Sequence, residues 1–247
     1  MADQGLFLIS GAVGIGPALL LLWHALRRFD YPRVEKTLFD DRRVFFSLAV
    51  GMVFGTVSSV FTLYSQPVDI TGVVIVLAVV VLFEESFKLV YLNRKGYRQN
   101  FASTFYGVAI GLGISSTVVL ATGLRNPGYA SSPATFALLV AYSFSMCTTE
   151  GTTGAIIGYG CSKGEPWTNF LVALFARFFF TFISVPFLLG SSALPDWLVF
   201  ASLIGAVVVG AFLYSIAYLD ILPDTLPPDL RRLLRKGRKE RVRARRR

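Results

Sequence analysis

Apolar residues run along this chain in long blocks, each closed by a short polar or charged segment. The blocks show no two-residue alternation. Each is about 20 residues long, the length an α-helix needs to cross roughly 30 Å of hydrocarbon. Seven helical spans are predicted, at roughly 5–26, 44–64, 70–92, 101–124, 134–160, 168–190 and 197–221. The connections between them are short, which favours antiparallel neighbours.

Small residues break the blocks at helical spacing. The second span carries Gly51, Gly55 and Ser59, and the fourth carries Gly107, Gly111 and Ser115 with Gly113 beside them. Four-residue spacing of small side chains lets helix backbones approach closely, so the fourth span is expected to pack tightly against the third or fifth. The first span contains Pro17, a potential kink, and ends at His24 beside Arg27 and Arg28. A lone histidine in that setting reads as an interfacial residue before it reads as a ligand. The fifth span differs from the rest, because MCTTEGTTG (146–154) surrounds Glu150 with threonines and glycines. A helix that is thin or locally unwound is expected there, with protein or water covering its backbone.

Composition agrees with a lipid environment: 54% of residues are hydrophobic, 16% are charged and mean hydropathy is +0.60. The fold class expected is an all-α polytopic membrane protein. Acidic MADQ lacks the basic flank of a signal peptide, so the first block is expected to be a retained helix. Cys147 and Cys161 have no metal-binding spacing and support no disulfide. Of 24 lysines and arginines, 21 fall in segments 27–43, 93–100 and 161–167 or in the tail. The positive-inside rule then puts the N-terminus outside and the C-terminus in the cytoplasm of a multi-pass cell-membrane protein. Residues 1–222 form the helical domain and 223–247 a basic cytoplasmic tail. From Arg231 the tail has eleven basic residues in seventeen. Arg231, Arg232 and Arg235 are therefore expected at anionic lipid headgroups. An acidic protein or RNA is the lesser alternative, and nucleic acid is not the expected partner.

Candidate chemistry collects in VLFEESFKLVYL (81–92), where Glu84, Glu85 and Lys88 stand at the end of an apolar run. Ionisable groups within a membrane span are expensive and mark functional sites. Helix rise puts Glu84 about 21 Å and Glu150 about 24 Å from the outer ends of their spans, and Arg177 about 13 Å from the inner end of its own. All three can meet in the inner half of the bilayer. Either glutamate can reach Lys88, at i+4 from Glu84 or i+3 from Glu85. Glu150 is then the natural partner of Arg177, and reversing that pair is expected to restore what either single change loses. Close carboxylates also offer general acid–base chemistry, and an arginine beside them can stabilise an oxyanion. Thr149, Thr152 and Thr181 are the expected supporting groups.

EESFK, followed after a short basic loop by FYGVAIGLGISS and later by AIIGYG, resembles the PrsW-type membrane proteases, part of the larger group that includes the CAAX prenyl endopeptidases. The resemblance covers roughly 82–182. It implies the same helical core, with Glu84 and Glu85 at the catalytic glutamates and Lys88 at the accompanying lysine. The family's Glu-Asn falls on Val118 and Val119. Its first histidine falls on Glu150 and its second on Arg177, with Thr181 at the Asn or Asp companion. A divalent metal is compatible with the family pattern, but the histidines that would ligate it are absent, so no residue is assigned to metal. Three functions follow as expectations. The first is an intramembrane endopeptidase with Glu84, Glu85, Glu150 and Arg177 as its catalytic set. The second is an inactive relative that acts as a scaffold or binds membrane-protein substrates. The third, carried by mid-membrane acids alone, is a proton or cation transporter.

Overall fold

The computed structural model describes residues 2–29, 38–65, 70–130, 132–189 and 194–232. Among the described residues no strand forms, and the apolar blocks become seven long helices. These are α1 (Ala2–Leu26), α2 (Asp41–Tyr64), α3 (Ile70–Leu92), α4 (Ser103–Arg125), α5 (Pro133–Lys163), α6 (Pro166–Leu189) and α7 (Asp196–Ile216). A π-helical turn, Ala217–Ile221, and a single turn, α8 (Leu222–Asp224), complete the last of them. Local chemistry sets several ends. Asp40 accepts from the backbone of Arg42 to start α2, Ser132 does the same for Thr135 in α5, and Gly164 ends α5 at φ +83°.

Five of these helices are long and apolar enough to cross a membrane: α1, α2, α4, α6, and α7 continued through α8. The other two are α3 and α5, which carry Glu84, Glu85, Lys88 and Glu150. The outer faces confirm the solvent. Phe45, Phe46, Val53 and Phe61 on α2, Phe175, Phe179 and Phe182 on α6, and Phe200, Ile204, Val208 and Phe212 on α7 all point out of the bundle. An apolar surface of that extent belongs in lipid. Exposed Trp23 and Trp167 sit towards one end of the bundle, and Tyr64 and Trp197 towards the other, as interfacial aromatic girdles do. The chain is a multi-pass α-helical membrane protein.

α4 is the central post. It is buried from Ser103 to Thr117 and packs against α1, α2 and α5. α5 packs in turn on α6 and α7, while α3 leans on α6 and α5. The small residues act here. A Cβ on Gly107 would collide with the Gly154 carbonyl, one on Gly154 with the Gly107 carbonyl, and one on Gly111 with the carbonyl of Glu150. Gly51 and Gly113 bring α2 equally close to α4. The predicted tight packing of α4 is against α5, not α3. The expected unwinding at MCTTEGTTG does not occur, because α5 runs unbroken from Pro133 to Lys163. Its glycines serve backbone approach to α4 instead.

First and last helices meet at the end of the bundle that carries most of the described basic residues. His24 Nδ1 lies 2.7 Å from the Tyr214 hydroxyl, and the ring stacks on Tyr218 at 4.7 Å between centroids. His24 is thus an interhelical packing group.

Candidate functional site

Glu84, Glu85 and Lys88 lie on the last two turns but one of α3, Glu150 in the middle of α5 and Arg177 in the middle of α6. Because α3 lies against both α5 and α6, all five side chains converge in the bundle interior. Glu84, Glu85, Lys88 and Glu150 have no exposed surface, and Arg177 is 4% exposed.

Lys88 is the hub of one half. Its ammonium has three N–H donors and three acceptors around it: Glu85 Oε1 at 2.7 Å, Glu150 Oε2 at 2.5 Å and Thr153 Oγ1 at 2.7 Å. Thr153 in turn lies 3.1 Å from Glu85 Oε1, to which it donates. Arg177 is the hub of the other half. Its Nη2 is 3.3 Å from Glu84 Oε2, and its Nε is 2.5 Å from Glu150 Oε1. The second contact is a charge–charge approach without hydrogen-bond alignment, since neither atom has a directed partner. Ser58 of α2 donates to Glu84 Oε1 at 2.5 Å. Glu150 thus bridges the two cations, and the pairs tie α3, α5 and α6 together. Breaking a buried pair by removing one partner costs about 3–5 kcal/mol, because a charge is left uncompensated.

The expected Glu150–Arg177 pair is present. Lys88 pairs with Glu85 at i+3 and not with Glu84, which turns towards Ser58 and Arg177. Thr149 and Thr152 do not support the cluster. Their hydroxyls donate to the carbonyls of Ser145 and Thr148 in their own helix. Thr153 takes that place, three residues beyond Glu150 and so on the same helical face, a spacing that could have identified it. Nothing in the sequence pointed to Ser58, because no local pattern shows which face of α2 looks at α3. Thr181 is 8% exposed, and its hydroxyl has no hydrogen-bond partner.

A cavity of about 170 Å³ leads down to this cluster from the end of the bundle opposite the basic one. Ser65, Arg125 and Asn126 stand at its mouth and Val76, Val80 and Phe180 in its walls; Ser58, Glu84, Arg177 and Thr181 line its deep end. Glu85, Lys88 and Glu150 do not line it. Towards the basic end the bundle closes with an apolar core that includes Leu89, Leu92, Phe105 and Ile157.

The donor set does not fit a divalent metal. Among the described residues no three His, Cys, Asp or Glu side chains converge to hold one, and Lys88 and Arg177 occupy the space between the carboxylates. At the basic end, Arg231 donates to Asp224 Oδ1 at 2.6 Å and to its carbonyl at 2.8 Å, while Tyr159 donates to Asp224 Oδ2 at 2.6 Å. Arg231, expected at lipid headgroups, is therefore engaged within the chain. Arg232 is exposed, and Arg235 lies outside the described residues. No family model, curated protein or solved structure matches the chain.

Proposed function

We propose that this chain is a non-catalytic relative of the PrsW-type proteases, a cell-membrane scaffold that binds segments of other membrane proteins. The observation that carries this reading is the engagement of Glu85, Glu150 and both cations within the charged cluster. Both oxygens of Glu150 face a cation, Glu85 is sealed behind Lys88 and Thr153, and Arg177 stands where a histidine would be needed. Arginine stays protonated, so it serves neither as a general base nor as a metal ligand. The five groups then act as a polar lock that fixes α3 against α5 and α6, holding a protease-like core without its chemistry.

Seven spans with an outside N-terminus follow from the distribution of basic residues, and the tail then faces the anionic inner leaflet. α3 and α5 cross the membrane in this arrangement because their charges are compensated inside the bundle.

A second reading, an active peptidase, is favoured by one fact. Glu84 lines the deep end of the cavity, the position from which a general base would meet water. Purified protein offered a library of membrane-anchored peptides separates the two. Retained peptides with no cleavage support the scaffold. Cleavage that disappears in both Glu84→Gln and Glu85→Gln establishes the peptidase and ends the first reading.

A further inference from the structure

The charged cluster does not balance. It holds three carboxylates, Glu84, Glu85 and Glu150, against two cations, Lys88 and Arg177, all within the bundle interior. One formal negative charge is left over, and an uncompensated charge at that depth costs several kcal/mol. Of the three acids, only Glu84 lines the cavity.

The cavity walls are mostly apolar, but a strip of hydroxyl groups runs along them. Along α2, Ser58, Thr62 and Ser65 recur at i, i+4 and i+7 and so descend one helical face from the mouth to Glu84. Thr62 donates to the carbonyl of Ser58, Thr122 to that of Val118 and Ser184 to that of Phe180. Each hydroxyl therefore keeps lone pairs that accept from water. Thr181 adds a buried hydroxyl with no partner at the deep end. A water needs at least about 10–15 Å³ of such space, so a cavity of about 170 Å³ has room for several. The groups facing Glu84 are Arg177 from α6, Glu150 and Tyr142 from α5, Glu85 and Lys88 on its own helix, Ser58 from α2 and, at the mouth, Arg125 from α4.

We propose that the cavity is a one-sided water-filled access path through which Glu84 takes up and releases a proton from the membrane face opposite the basic end. The proton adds to a carboxylate oxygen of Glu84 and removes the cluster's excess negative charge, and release restores it. The apolar core around Leu89, Leu92 and Phe105 lies between the cluster and the other face, so the path is a binding site for a proton and not a through channel. An alkali cation would answer the same charge deficit, but it would sit against the Arg177 guanidinium, which disfavours it.

Infrared difference spectra of the full chain in lipid nanodiscs, titrated between about pH 4 and pH 10, test this. A carboxylic-acid C=O band is expected to titrate in the wild type and to be missing from Glu84→Gln. Ser58→Ala leaves Glu84 in place and is expected to move the midpoint of that band by about one pH unit, the worth of a hydrogen bond to a charged group. Val76→Trp, which fills the cavity, is expected to slow the deuterium shift of the band at least about tenfold. A band that persists in Glu84→Gln and keeps its midpoint in Ser58→Ala overturns the proposal. So does a wild type whose thermal stability follows sodium concentration and not pH.

Discussion

Two interfaces of this bundle solve the same packing problem in opposite ways. Along the α4–α5 seam, side chains are removed until backbone meets backbone, with Gly107 and Gly154 against each other's carbonyls. Along the α3–α5–α6 junction, long charged side chains fill the gap and bind through paired charges. The two lie on opposite sides of one residue. Glu150 turns its carbonyl to Gly111 and its carboxylate to Lys88 and Arg177. Packing by absence fixes a distance, whereas packing by charge fixes a set of partners. Lipid supplies no hydrophobic drive between helices, so both devices are used where a water-soluble protein would rely on burial.

Changes at the seam are expected to be the harshest. Gly154→Leu drives a side chain into the Gly107 carbonyl, and loss of folded protein is expected by size-exclusion chromatography in detergent, beyond the ~1–3 kcal/mol usual for overpacking. At the charged junction, Lys88→Met strands Glu85 and leaves Glu150 only Arg177, and Arg177→Met strands Glu84 and leaves Glu150 only Lys88. Each is expected to destabilise by about 3–5 kcal/mol in thermal or denaturant unfolding. The reversal Glu150→Arg with Arg177→Glu, a natural rescue for an isolated pair, is expected to fail. It would set an arginine beside Lys88 and a glutamate beside Glu84. If that double variant unfolds at the wild-type temperature, the two halves of the cluster are independent and the junction is weaker than described.

Smaller effects sort the threonines. Thr153→Val removes a hydroxyl shared by Lys88 and Glu85 and is expected to cost about 1–2 kcal/mol. Thr149→Val and Thr152→Val lose only bonds to their own helix and are expected to stay within about 0.5 kcal/mol. Equal losses at all three would break the distinction drawn at Glu150. Smallest of all is Arg231→Ala. Its pair with Asp224 is about one-third exposed on the arginine side, and such pairs contribute about 0–1 kcal/mol.

Much of this was legible from residue order. All seven helices stand where the apolar blocks put them, and helix rise alone brought Glu84, Glu150 and Arg177 to one depth. Depth does not fix azimuth, however. Glu84 and Glu85 differ by about 100° around α3, so which of them meets Lys88 depended on where α5 and α6 lie. The same limit hid Ser58, which belongs to a helix whose contact with Glu84 no local pattern records. At MCTTEGTTG the small residues carried a double meaning. Glycine and threonine weaken a free helix, but next to Gly107 and Gly111 they permit a closer one. Only the partner's sequence, read against it, decides between the two.

The stack of His24 on Tyr218, with the Tyr214 hydroxyl on its imidazole, joins residues 190 positions or more apart in the chain. Synthesis runs from α1 to α7, so the first helix into the bilayer is the last to be finished. Until the ribosome has delivered Tyr214, α1 is held chiefly by α4 and α5, and its basic end waits for a partner. A chain that stops before α7 leaves His24 and Arg28 facing lipid headgroups in place of aromatic rings.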